Sequence, residues 1–375
     1  MGIRFERDSR RATNGPMIFF SILKDETFEE EIRSAFISGL SFYAYRFPND
    51  TMMSYGSSEG YVEGLDTPGF AIGFFDSEKP IITIPYSGIK SNEAIGSLYS
   101  IPERSTTYDE YSREVEEIIK ALEGKPASKI VAARVIVNDT VFDIAEKFYE
   151  LCQRFPEAFV FCFSTPATGC WIGASPELLL ESRNGQLRTM ALAGTRVKSK
   201  EEGVSTVFRT GGDPLYGWDE KNKEEQKIVA DYIVDIFRQQ GLKATAEESF
   251  TKSAGKVEHI CTPIFASLPE SSGFSPICSE FRLTELLRSL SPTPALCGNP
   301  KDFALEKIRE LEHFDRGCYG GFCGPYHSPE EFTFNVIIRC AAVSQQRYGI
   351  YVGGGITSRS TVASEWLETQ HKIPW

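Results

Sequence analysis

The sequence predicts an α+β fold in a single domain. Its strand-like segments come in long runs joined by tight turns, and its helix-like segments come in groups. No strand–helix–strand alternation runs along the chain to suggest a wound parallel sheet. No internal repeat, low-complexity tract or linker rich in proline, serine or charge divides the 375 residues.

Taken in order, "MGIRFERDSRRATNGPMIFFSILKDE" is arginine-rich, and its apolar stretch is too short for a signal peptide or a membrane span. Glu6 stands where a myristoylation signal needs Ser or Thr. A cytoplasmic protein is expected. A helix is predicted over Thr27–Tyr43, then strands at Gly69–Phe75 and Pro80–Pro85. "TTYDEYSREVEEIIKALEG" has amphipathic spacing and ends on Gly124, so it reads as a helix. "SKIVAARVIV" is β-branched and reads as a strand, followed by the helical "TVFDIAEKFYELCQRFP".

The stretches "EAFVFCFST", "GCWIGAS", "ELLLESRNGQLRTMALAG" and "HICTPIFASL" are strand-like. Asn184-Gly185 marks a hairpin, because both residues accept the positive φ of a tight turn. The polar, glycine-rich stretch Lys198–Lys223 reads as a mobile loop or lid. A long helix follows over Lys223–Gln240, with helices near Glu280–Leu290 and Pro300–Glu312. Strands at Phe332–Val343 and Tyr348–Val352 precede a last helix, Ser360–Lys372.

Composition excludes several function classes. Hydrophobic residues at 41% and charged residues at 25% are ordinary for a globular chain. A net charge of -12 argues against broad nucleic-acid binding. The nine cysteines are scattered without a C-x-x-C pair, as expected of buried thiols in a reducing compartment. Four dispersed histidines do not make a zinc cluster.

Several residues could carry chemistry. In "YVGGGITSRSTVASEWLETQHK", Thr361, Glu365, Glu368 and Lys372 share one helical face. Read alone, that face is a solvated one with an i,i+4 ion pair. Gly353, Gly354 and Gly355 lie just upstream, where bare backbone and a helix N-terminus favour an anion. Carboxylates beside a bound anion invite a hard cation such as Mg2+.

Lys129 lies at one end of an apolar strand face, where it either snorkels to water or is desolvated and basic near neutral pH. Glu177 opens a strand; exposed it is ordinary, and in a poorly solvated cleft it is a general acid. Glu224 and Glu225 lead into the same helical stripe, and periodicity does not choose between them. Arg339 among apolar neighbours needs a partner, either an internal carboxylate or a substrate one. His259 is a lone strand histidine. Together these residues describe a glycine-lined cleft suited to an anionic organic acid bound through Mg2+.

Nine ordered segments resemble the chorismate-utilising enzymes, and among them the isochorismate synthases. They are "KIVAARVIV", "GASPELLLE", "ALAGTR", "KNKEEQKIV", "EHICTPI", "SPTPALCGNPKDFALEKIRELEHFDRGCYGGFCG", "VIIRCA", "GGGI" and "SEWLETQHK". They fall within residues 128–372; residues 1–127 match only by position and would form the N-terminal part of the same domain. The resemblance implies two large, mostly antiparallel sheets packed together with helices outside.

It also implies a reaction. Water-adding members carry a lysine where Lys129 stands. Ala193 counts against the aminodeoxychorismate branch, and Ala295 against the anthranilate branch. Lys129 would activate a water that attacks ring C2 of chorismate, and Glu177 would protonate the departing C4 hydroxyl. Glu225 and Glu368 match ligands of Mg2+, with Glu365 a neighbouring acid. Arg339, Gly353 and Lys372 match positions that hold substrate carboxylates. Gly194, Thr195 and His259 match the ring pocket, and Ala295 and Tyr319 fall in motifs that contact substrate.

The product would be isochorismate, for menaquinone or siderophore biosynthesis, with no nucleic acid, membrane or obligatory protein partner. Salicylate synthases share the lysine and are the nearest alternative; an aminating synthase component is the next. Two departures stand out: Ser291 replaces the family's usual histidine in "SPTPA", and Gln226 replaces the common histidine after Glu225.

Overall fold

The structure is a computed structural model and describes residues 26–89, 99–125, 128–197, 214–254, 257–268 and 276–373. Helix α1 (Glu26–Ser38) leads into strands β1 (Ser41–Arg46), β2 (Ser54–Ser58), β3 (Val62–Glu63), β4 (Gly69–Gly73) and β5 (Ile82–Pro85). Helix α2 (Tyr108–Leu122), strand β6 (Lys129–Asn138) and helix α3 (Ile144–Arg154) follow. Next come β7 (Phe159–Thr165), β8 (Gly169–Ser175), β9 (Leu178–Arg183) and β10 (Gln186–Val197). Helix α4 (Glu220–Gln239) precedes β11 (Thr245–Ala246), β12 (Phe250–Ala254) and β13 (Val257–Ser267). After α5 (Pro276–Leu290), β14 (Gly298–Asn299) and α6 (Lys301–Leu311) come β15 (Phe322–Ser328), β16 (Glu331–Val336), β17 (Cys340–Val343), β18 (Tyr348–Ile356) and α7 (Val362–His371).

Among the described residues the strands form two sheets. One has eight strands in the order β14-β6-β18-β17-β8-β7-β1-β2. The other has ten, in the order β11-β13-β10-β9-β16-β15-β4-β5-β3, with β12 paired to β13. Each of the two contains N-terminal strands as well as motif-bearing ones. Between the sheets lies an aromatic core that includes Phe70, Phe161, Trp171 and Phe334. Helices α1 and α3 cover part of the outer face of the eight-stranded sheet through Phe28, Ile32 and Phe148. The rest is covered by α2, α6 and α7 through Tyr111, Val115 and Ile308. Burial on both faces is why "KIVAARV" is an apolar run rather than an alternating one.

Local signals explain many boundaries. Thr107 and Glu110 close a capping box on α2, and Asp143 caps α3. Asn184 and Gly185 take φ of 50° and 77° in the predicted hairpin. Among the described residues, no helix is long and apolar enough to cross a membrane.

Three expectations change. The helix expected to reach Tyr43 stops at Ser38, because Gly39 turns left-handed (φ 70°) and the aromatic "SFYAYR" pairs as strand β1. The strand expected over Phe332–Val343 is two strands in different sheets. Helix α4 begins at Glu220, capped by Asp219, so the expected loop is shorter at its end; its residues 198–213 lie outside the described ones.

The chain changes sheets twice at one place. Between β8 and β9 it passes through Pro176 and Glu177 to the ten-stranded sheet, and between β16 and β17 it returns through residues 337–339. The two crossings are bonded to each other. Val336 N–H donates to the Glu177 carbonyl at 3.0 Å, and Ala174 N–H to the Arg339 carbonyl at 3.1 Å. A cleft opens beside them.

Candidate active site

The cleft forms where strand β17 runs out. β18 pairs with β6 along its whole length, but with β17 only from Tyr348 to Tyr351. The backbone from Val352 onward therefore lines the cleft with Gly353 and Gly355. Val131, Leu192, Leu296, Ile338 and Tyr351 give apolar walls, and the polar groups converge between them.

Lys129 begins β6 and is 1% exposed, so it does not snorkel. Its ammonium donates to Glu225 Oε1 at 2.6 Å. Glu225 comes from the first turns of α4, whose phase is held by the next residue. Gln226 accepts from Ala193 N–H at 2.7 Å and donates to the Ala191 carbonyl at 2.9 Å and to Thr262 Oγ1 at 2.8 Å. With Gln226 locked into β10 and β13, Glu225 faces the cleft. Glu224 is exposed, 3.7 Å from Arg359. The choice that periodicity left open is made by this amide, whose role sequence reasoning missed.

Glycine is required beside the pair. A Cβ on Gly355 would stand 2.5 Å from Lys129 Cε and 2.7 Å from Glu225 Oε1. A Cβ on Gly354 would lie 3.2 Å from Glu365 Oε2 and 3.5 Å from Glu368 Oε1, and one on Gly353 would lie 2.9 Å from the Tyr319 hydroxyl. These glycines are strand residues in register with Ala133, Ala132 and Val131, not a loop at the helix N-terminus as expected. Thr361 is likewise not on the helical face; it is the N-cap, accepting from Ser364 N–H at 3.3 Å. Glu365 is buried, and Lys372 donates to Glu368 at 2.6 Å and to the Gly353 carbonyl at 2.9 Å.

Glu177 stands at the first sheet crossing, 3% exposed. Burial pushes its pKa up to about 8 against the opposing charges of Lys129, Lys252 and Lys372. Arg339 stands at the second crossing. It is not on a strand face with Ile337 and Ala341, because its φ of 51° breaks the run and turns the side chain into the cleft. Burial lowers its pKa to about 10.

His259 on β13 is buried, and desolvation with Arg339 nearby lowers its pKa to about 3, so the ring is neutral. Its Nδ1 lies 2.9 Å from the Gly194 carbonyl and 3.3 Å from Thr195 Oγ1. A carbonyl only accepts, so Nδ1 carries the proton and Nε2 accepts from Arg339 at 3.5 Å. Gly194 is left-handed (φ 71°) and Thr195 N–H donates to Asn222 Oδ1 at 2.9 Å. Ala295 and Tyr319 also line the cleft. Of the expected site residues, Glu365 and Glu368 are set behind the glycine strand, Lys129 is buried behind Gly355 and Glu225 in the cleft wall, and the others line the cleft itself.

Three carboxylates gather around the glycine strand. Glu225 from α4 and Glu365 and Glu368 from α7 approach a strand whose missing Cβ atoms leave them room. Among the described residues no group of three or more His, Cys, Asp or Glu side chains is placed to hold a metal ion. Mg2+ commonly takes only one or two protein carboxylates and completes its shell with ligand oxygens.

Residues 87–374 match the family described as chorismate binding enzyme. The chain belongs to that family. It is 30% identical over 277 residues to isochorismate synthase EntC of Escherichia coli K12, covering 73% of this chain and 66% of EntC. It is 29% identical over 271 residues to isochorismate synthase MenF of Bacillus subtilis, covering 71% of this chain and 54% of MenF. The match thus spans under two thirds of either relative's length. The solved structure of the menaquinone-specific isochorismate synthase MenF from E. coli shares the fold, with a TM-score of 0.71 at 20% identity over 89% of this chain and 86% of that one.

Proposed function

We propose that this family member is an isochorismate synthase that converts chorismate reversibly to isochorismate. The observation that supports it most is a buried lysine close to a buried carboxyl: Glu177 lines the cleft, and Lys129, just behind Gly355 in its wall, acts on Glu177 by charge. A buried amine and a buried, protonated carboxyl are the base and acid that replacing one hydroxyl with another requires.

In the forward direction Lys129, in its amine form, removes a proton from the water that bonds to ring C2 and becomes the ammonium that pairs with Glu225. The ring double bonds shift, the C4–O bond breaks, and Glu177 gives its proton to the departing hydroxyl, which leaves as water. One water enters and one leaves, so product and substrate are isomers. Glu177 begins the cycle protonated at neutral pH because burial disfavours its anion. Arg339 and Lys372 hold substrate carboxylates, with the Gly353 backbone allowing close approach. Neutral His259 and Thr195 border the ring.

Charge bookkeeping favours a metal. With Lys129 in its amine form, Arg339 and Lys372 are already outnumbered by Glu225, Glu365 and Glu368 before a dianionic substrate arrives. Mg2+ held by Glu225 and Glu368, with Glu365 beside them, would supply the missing positive charge at a substrate carboxylate. The menaquinone and siderophore names of relatives leave both pathways open for the product.

The test is incubation of purified protein with chorismate and Mg2+, with and without EDTA, with products identified by NMR. Isochorismate without pyruvate, lost on chelation, is expected. Salicylate with pyruvate would move the chain to the lyase branch, and no turnover would overturn the reading.

A further inference from the structure

The crossing that carries Glu177 has another cation behind it. Strand β12 sets Lys252 directly across from His259. The Lys252 ammonium donates to the Pro176 carbonyl at 2.7 Å and to the Met190 sulfur at 3.4 Å. Pro176 lines the active-site cleft on one side and, with Lys252, an outer cleft on the other. A strand lysine ordinarily carries its charge to water; this one turns it inward.

The other polar groups of the turn already have partners. Glu177 N–H donates to Ser175 Oγ at 3.2 Å, and the Glu177 carbonyl accepts from Val336. Lys252 supplies the donor for the Pro176 carbonyl. We infer that Lys252 is a positioning residue for the Glu177 acid: its hydrogen bond to Pro176 fixes the turn, and its positive charge acts on the carboxyl. This rests on Glu177 being the proton donor.

Among the lysines, Lys129 acts most strongly on Glu177 by charge and Lys252 next. Glu177 is faced by Lys129 from β6, Lys252 from β12 and Lys372 after α7, with His259, Arg339 and Glu225 lining the same cleft. Lys129 and Lys372 each hold a carboxylate of their own, Glu225 and Glu368. The hydrogen-bond acceptors of Lys252 are neutral, so no hydrogen-bonded carboxylate cancels its field at Glu177. Lys252 itself faces Cys261, Glu177, Arg188 and Glu157; burial lowers its pKa and the acidic neighbours oppose that.

The experiment is a pH titration of the free, full-length protein carrying 13C-labelled glutamate carboxyls, with the Glu177 signal assigned by Glu177→Gln. The native midpoint is expected at about 8. Lys252→Gln keeps a donor for Pro176 but no charge, and should raise the midpoint by about one pH unit. Lys252→Met should raise it as much and lower kcat further than Lys252→Gln, with KM little changed. Lys252→Arg should restore the native midpoint. An unmoved midpoint in folded Lys252→Gln would overturn the inference and leave Lys252 a structural residue. If Lys252→Met does not fold, the Gln and Arg variants decide alone. The titration needs no substrate, so its outcome is separate from whether chorismate is turned over.

Discussion

Two buried ion pairs lean on strand β6, and they do different work. Arg316 and Glu312 lie along its edge, each 2% exposed. Arg316 also donates to the Leu296 carbonyl at 2.7 Å and the Val131 carbonyl at 2.8 Å, and Glu312 accepts from Ala133 N–H at 3.1 Å. That pair completes the edge of β6 beyond the two residues that β14 covers. Lys129 and Glu225 meet at the start of the same strand, where the Lys129 ammonium has one hydrogen bond among the described residues and its partner Glu225 lines the cleft. Burial is shared by both pairs. What separates them is that one pair has a member, Glu225, on the wall of a space that a substrate can enter, and the other has none.

The difference predicts opposite phenotypes. Lys129→Met should lower turnover by roughly 10²–10⁴-fold, the usual range for a lost general base, with circular dichroism unchanged. Glu312→Gln should destabilise the fold by about 3–5 kcal/mol, because it strands a buried guanidinium, while the folded fraction keeps its turnover. Denaturant titration and activity per folded molecule would check both. A stable but inactive Glu312→Gln would erase the distinction.

Glu177 sharpens it through pH. Its ordinary pKa of 4.5 rises to about 8 in the fold. Between those values the folded protein keeps a proton that the unfolded chain has lost, so native stability falls as pH rises through the window. Glu177→Gln has no such proton. It should match the native chain near pH 4 and become more stable than it by pH 8, by roughly 2–5 kcal/mol. A constant gap across that range in denaturant midpoints would show that the carboxyl titrates normally. Gly355→Ala comes next. Its Cβ would force Lys129 and Glu225 apart at a cost of about 1–3 kcal/mol, with a larger loss of turnover than of stability.

How much of this could be read beforehand depends on the range of the interaction. Local signals were legible: the apolar run of β6, the Asn184–Gly185 hairpin and the position of most helices. The motif residues were legible as a set, through resemblance. The sheet crossings were not, because an apolar run such as "FNVIIRCAAV" looks like one strand until Arg339 is seen to break it between two sheets. Glu177 looked like an ordinary strand-end acid for the same reason. Lys252 carried no signal in the sequence, since its acceptor on Pro176 lies 76 residues away.

The smallest effect tests the finest of these distinctions. Glu224 and Glu225 are adjacent, identical in type, and equivalent in the apolar stripe they precede. One helical step separates them, and Gln226 decides which faces inward by satisfying both ends of its amide in β10 and β13. Glu224→Gln removes only an exposed carboxylate 3.7 Å from Arg359, so stability should shift by less than about 0.5 kcal/mol and turnover should hold. Glu225→Gln should cost turnover and raise the Mg2+ concentration needed for half-maximal rate. Gln226→Leu should blur the pair, because it frees the phase of α4 that keeps the two glutamates apart in role. Equal effects of the two glutamate substitutions on turnover would mean that the helix does not hold that phase in solution.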